Sequence, residues 1–96
     1  MTGTDTVDED YVRRFLTENP KFAGILRRAL EQEEKHLNQP GYLGWEWYEV
    51  RAYPAELMKL VREGIVTLNY RSRSYRNYLL SNREAVKKAL ESMGVM

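Results

Sequence analysis

Residues 54–80 read PAELMKLVREGIVTLNYRSRSYRNYLL, and the hydrophobic period changes once along them. Up to Gly64 the apolar side chains of Leu57, Leu60 and Val61 fall three and four apart, on one face of a helix. Pro54 suits the first helical position, where its missing N–H is not needed. Gly64 stands where a left-handed residue closes a helix. From Ile65 to Arg71 the pattern alternates, with Val66, Leu68 and Tyr70 on one side. From Tyr75 to Leu80 it alternates again, with Tyr78 and Leu80 on one side. Ser72-Arg73-Ser74 between them is a polar tip of hairpin length. A helix of about 54–63 followed at once by a β-hairpin is therefore expected.

Upstream, Trp45 to Ala52 is read as a short helix, closed by Tyr53-Pro54, which also restarts the chain as the next helix. Leu43 to Trp45 is read as a third short strand. Asn38-Gln39-Pro40-Gly41 marks a turn. Before it, Phe22, Ile25, Leu26, Ala29 and Leu30 keep helical spacing, and that helix fades near His36 or Leu37. Asn19 is expected as its N-cap, with Pro20 at the first position. A first helix runs to about Glu18 on Val7, Tyr11, Phe15 and Leu16, with Val12 beside the stripe and Thr6 and Glu9 as a capping box. Downstream, Ser81 and Glu84 form a second capping box, and Val86, Ala89, Leu90 and Met93 mark a last helix ending near Gly94. The expected core comprises Phe15, Phe22, Leu26, Leu30, Leu57, Leu60, Val61, Val66, Leu68, Tyr78, Leu80, Val86 and Leu90. Trp45, Trp47 and Tyr48 could form a stacking platform, but they are assigned to the core as well, since dense aromatics in a small domain are usually packed inward.

The chain has 96 residues, 43% of them hydrophobic and 30% charged, which fits a single soluble globular domain spanning 1–96. No apolar run is long enough to span a membrane and the acidic start does not resemble a secretory signal, so a cytoplasmic location without membrane association is expected. With no Cys and a single His, thiol chemistry and cysteine-ligated zinc are excluded. His36 stands among Glu33, Glu34 and Lys35 without enough further ligands for a metal. No Gly-rich phosphate loop is present and no acid–base pair stands out, so neither enzymatic activity nor a cofactor is expected. The net charge is +1, split between −2 over residues 1–40 and +3 over residues 41–96.

The basic excess gathers at the hairpin. Tyr70-Arg71-Ser72-Arg73-Ser74-Tyr75-Arg76 interleaves three guanidinium groups with hydroxyls and aromatic rings. Arginine forks match phosphate oxygens, arginine suits a narrow minor groove, and tyrosine can donate to phosphate or stack on a base. Arg51 and Tyr53 lie in the turn before the 54–63 helix. Arg83, Lys87 and Lys88 are read as the solvent face of the last helix.

Leu57-Met58-Lys59-Leu60-Val61-Arg62-Glu63-Gly64-Ile65-Val66 resembles the recognition helix and first wing strand of the winged helix-turn-helix superfamily. Tyr78-Leu79-Leu80-Ser81 is similar to its return strand. The resemblance covers roughly Trp45 to Leu80 and is nearest, through the tyrosine-rich wing, to winged-helix segments of archaeal DNA-processing and helicase-type proteins. It implies an α+β fold, mostly α, with about five helices and a two- or three-stranded β-wing. It also implies binding of double-stranded DNA by a transcription regulator or DNA-associated factor. Contacts are then expected from Arg51, Tyr53, Glu56, Lys59 and Arg62 at the helix, and from Arg71, Ser72, Arg73, Tyr75 and Arg76 at the wing. The helix departs from the family pattern by setting Glu56 and Glu63 beside Lys59 and Arg62. That mixed charge favours an alternative, a winged-helix module that binds a protein partner within a DNA-processing or transcription complex. Tyr11 and Phe15 on the first helix are expected to leave an uncovered apolar face, hence a homodimer.

Overall fold

A computed structural model describes residues 7–96. The elements run α1 (Glu9–Glu18), α2 (Phe22–Lys35), α3 (Trp47–Val50), α4 (Pro54–Arg62), β1 (Val66–Arg71), β2 (Arg76–Leu80) and α5 (Arg83–Ser92). The described residues form a mostly helical α+β domain in which five helices accompany one two-stranded antiparallel sheet. No helix among the described residues is long and apolar enough to cross a membrane.

The helix ends show where local chemistry prevails and where it does not. Asp8 caps α1 by accepting from the Tyr11 N–H at 2.9 Å. Thr6, the expected cap, lies outside the described residues. Asn19 does not start α2, as the sequence suggested. It ends α1 instead, giving both its backbone N–H and its side-chain amide to the Phe15 carbonyl. The cap position of α2 falls to Lys21, with no side-chain bond. At α5 the cap is Asn82, whose Oδ1 accepts from Ala85 N–H, rather than Ser81, whose hydroxyl pairs with that of Thr67. Gly64, at φ +78°, closes α4: its N–H reaches the Val61 carbonyl and that of Ile65 reaches Leu60.

Amphipathic helices gather around one core. Val12, Phe15 and Leu16 of α1, five apolar residues of α2, and Leu57 and Leu60 of α4 are buried. Ala85, Val86, Ala89 and Leu90 of α5 join them. Helix α1 packs on α5, and α2 packs on both α3 and α5. Three residues assigned inward are only partly so: Val61 and Tyr78 are half-buried, and Leu68 is exposed. The cause for Leu68 is the outer position of β1, which is solvated beyond Val66.

Trp45 forms a single antiparallel bridge to Tyr78, with mutual N–H to carbonyl bonds of 2.9 Å, so the expected third strand contracts to one pair. Gly44 makes this approach feasible. It sits at φ +128°, and a Cβ there would lie 2.3 Å from the Tyr78 carbonyl oxygen. Trp45 is fully buried. Trp47 and Tyr48, assigned to the core by density alone, are more than half exposed. Helix α3 is only four residues long, and its inward positions are taken by Val50 and the following Ala52.

Candidate nucleic-acid interface

Three residues, Arg51, Ala52 and Tyr53, separate α3 from α4. Arg51 adopts the left-handed conformation at φ 56° and ψ 47°, the sole positive-φ residue other than glycine among those described. A left-handed arginine is strained relative to glycine, and it is held there by the Ala52 N–H bond to the Trp47 carbonyl. From α2, Arg28 Nε donates to the Val50 carbonyl at 2.8 Å and satisfies the end of α3. The turn thus leaves the Arg51 and Tyr53 side chains exposed at the start of α4.

On α4 the buried stripe of Leu57 and Leu60 leaves Ala55, Met58, Lys59 and Arg62 around the opposite side. The two acids of this segment are engaged elsewhere. Glu56 accepts the Tyr53 N–H at 2.9 Å and lies 3.8 Å from Lys21. Glu63 accepts from the Tyr11 hydroxyl at 3.0 Å, and its backbone carbonyl accepts from the same hydroxyl. Burial and this bond to Glu63 push the Tyr11 phenol above its usual range. The mixed charge read along the helix is therefore divided in space: Glu56 serves the helix start and Glu63 faces α1, while Lys59 and Arg62 stay free of carboxylates among the described residues.

The hairpin stands beside α4. Its register sets Arg71 directly opposite Arg76, with a bulge between Leu68 and Tyr70. The tip is a short turn in which Ser72 N–H donates to the Tyr75 carbonyl and Ser72 Oγ accepts from Tyr75 N–H. Arg73 and Tyr75 are exposed. Arg71 and Arg76 line a groove of about 280 Å³ against α4, together with Pro54, Met58, Val61 and Leu68. None of Arg71, Arg73 and Arg76 lies within ion-pair distance of a carboxylate among the described residues. On other faces Arg13 pairs with Glu9 and Asp10, Arg27 with Glu31, Arg83 with Glu33 and Lys87 with Glu34, whereas Arg14, Arg28, Lys35 and Lys88 have no carboxylate partner among the described residues. Arg51, Lys59, Arg62, Arg71, Arg73 and Arg76 form the largest group of unpaired cations, on α4, the preceding turn and the hairpin.

The ten residues named from the sequence lie on α4, the turn before it and the hairpin; the structure brings Arg71 and Arg76 against α4 in one groove and keeps Glu56 for capping rather than presenting it outward. Sequence reasoning missed Met58, 62% exposed, and assigned Trp47 and Tyr48 to the core over a stacking platform, whereas both are exposed. For Met58 the helical phase was the available signal, since it falls outside the Leu57–Leu60–Val61 stripe. His36 is the C-cap residue of α2. Its Nδ1 faces Gln39 Oε1 at 2.7 Å and its ring stacks on Tyr42, and no group of three potential ligands occurs among the described residues. Comparison with known protein families, with curated proteins and with solved structures finds no match to this chain.

Proposed function

We propose that this protein binds double-stranded DNA as a winged helix-turn-helix, a DNA-associated factor with α4 at the major groove and the hairpin as the wing. The order α2, the Trp45 bridge, α3, a three-residue turn, α4 and hairpin supports that architecture. The observation that carries the binding is the Arg71–Arg76 pair. Like charges directly opposite across two strands are destabilising. Neither has a carboxylate partner among the described residues, and both line the groove beside α4. A polyanion relieves that repulsion by supplying phosphate oxygens that match the guanidinium forks. Lys59 and Arg62 extend the same positive surface along α4, and Arg51 extends it into the turn.

The hairpin contributes sequence-independent attraction, because arginines at its tip meet backbone before base edges. Titration of labelled duplexes at several salt concentrations tests the reading. With about four phosphate contacts, raising salt from about 50 to 200 mM should weaken binding on the order of a hundredfold. Arg73→Ala should weaken binding equally on unrelated duplexes and flatten the salt slope by about one. Lys59→Ala should instead alter the preference between sequences. Duplex affinity indifferent to salt and to Arg73 would refute the proposal. The alternative of a protein-docking module draws on the exposed apolar strip of Met58 and Leu68 along the same groove. It would then take precedence.

A further inference from the structure

Beside the cationic groove lies an exposed aromatic surface. Trp47 and Tyr48 of α3, Tyr53 of the turn and Tyr75 of the hairpin are 53%, 56%, 74% and 57% exposed. The Trp47 and Tyr48 rings meet edge to face with centroids 5.8 Å apart. Trp47 lines a recess of about 190 Å³ with Ser74 and Arg76 of the hairpin and Pro54 of α4. Tyr75 stands between Ser74 and Arg76, the two hairpin residues that line this recess. Arg76 and Pro54 also line the groove against α4, so the two surfaces are continuous. Glu46 lines the recess as well, and its carboxylate accepts from the Tyr48 hydroxyl at 3.0 Å.

We infer that this aromatic face receives unpaired bases at the end of a duplex, so that the preferred ligand is a junction between double- and single-stranded DNA. The inference rests on the DNA-binding reading above and narrows it to one class of DNA. Phosphate contacts need hydroxyls or guanidinium groups, not ring faces. Exposed aromatic faces gain from a flat apolar partner, and a base is available as one only where it is unstacked. A wholly apolar protein partner is disfavoured, since docking would strip water from the unpaired Arg76 at the centre of both surfaces. A strand leaving a duplex held by α4 and the hairpin passes from phosphate-binding cations to stacking rings without crossing an acidic patch other than Glu46.

The experiment compares a short blunt duplex, the same duplex with a 5′ or a 3′ oligothymidine tail, and the tail strand alone. Binding is read by anisotropy at fixed salt, together with protein fluorescence. Trp45 is buried and Trp47 exposed, so stacking should quench the exposed indole. One tailed duplex should bind about tenfold tighter than the blunt one and quench the emission further. Trp47→Ala and Tyr48→Ala should bind the blunt duplex like the wild type but lose the preference, and Trp47→Phe should retain it. Equal affinity for blunt and tailed duplexes overturns the junction and leaves duplex binding standing. So does a preference that survives both alanine variants, or a lone tail strand that binds as tightly as the junction. Failure to bind any of the nucleic acids removes both readings, and the face is then one for a protein.

Discussion

Glu33 is the only charged side chain buried among the described residues. Its carboxylate accepts from Trp45 Nε1 at 2.8 Å, Leu80 N–H at 2.6 Å and Arg83 Nε at 3.0 Å. One side chain of α2 thereby holds the bridge residue, the end of β2 and the start of α5. A buried charge this well supplied is stable only while its donors remain. Glu33→Ala should cost roughly 3–5 kcal/mol, read as a lower urea midpoint. Arg83→Ala should cost roughly 3 kcal/mol, because it leaves the buried carboxylate without its cation. The clue to Glu33 lay in its spacing, four residues beyond Ala29 and three beyond Leu30, on the buried stripe. Its neighbours Glu31, Gln32 and Glu34 obscure this, and its donors come from segments that no local reading connects to it. Tyr42 presents the opposite case. Its hydroxyl is buried and finds no hydrogen-bond partner among the described residues. Burial, then Glu49 and Glu33, push its pKa up to about 12. The folded state keeps the phenol proton that the unfolded chain releases near pH 10. This contribution to stability is therefore complete below about pH 10 and is lost as pH rises towards about 12. Tyr42→Phe should flatten that alkaline decline and leave neutral-pH stability unchanged or higher by up to about 1 kcal/mol, as thermal melts across the pH range would reveal.

At the level of elements, α4 and the hairpin were legible because their signals are local: Pro54, the Leu57–Leu60 stripe, Gly64, and then alternation. The alternation failed beyond Val66, where the strand is solvated, and after Leu68 a bulge shifts the register so that Tyr70 meets Asn77. The amides of Asn69 and Asn77 also donate to the carbonyls of Leu43 and Gly44, long-range bonds that fasten the loop before Trp45 to the sheet. Asn19 was misread because a residue between two helices can serve either, and the choice depends on how α1 and α2 meet. Two glycines separate conformational demand from spatial demand. Both take positive φ, but a Cβ on Gly64 would meet only Val7 at an ordinary 3.5 Å, whereas one on Gly44 would strike the Tyr78 backbone. Gly64→Ala should cost roughly 1–2 kcal/mol. Gly44→Ala should cost roughly 3 kcal/mol or more and loosen the Trp45 bridge, visible as a red shift of the buried indole's emission.

For the whole molecule, the residues of the candidate site could be named from the sequence, but not the way their charges are arranged in space. Glu56 and Glu63 looked like an obstacle on α4 until their bonds to Tyr53 N–H and Tyr11 placed them away from its open face. The homodimer expected through α1 loses its premise in the same way. Phe15 is buried within the monomer, edge-on to Phe22 at 5.3 Å, and Tyr11 is half-buried with its hydroxyl on Glu63. Light scattering of the free chain at high concentration should therefore return 11.4 kDa. A doubled mass would point to association through the exposed aromatic face, which would then compete with nucleic acid. The bond from Leu80 N–H to Glu33 has a kinetic consequence. It clamps the root of the hairpin into the core, while the tip is closed by the two bonds between Ser72 and Tyr75. In deuterated solvent the Leu80 amide should exchange only when the entire domain opens, and those of Arg73 and Ser74 almost at once. The hairpin would then act as a lever with a fixed fulcrum, its arginines sweeping to follow a bent or frayed duplex while the core below stays rigid.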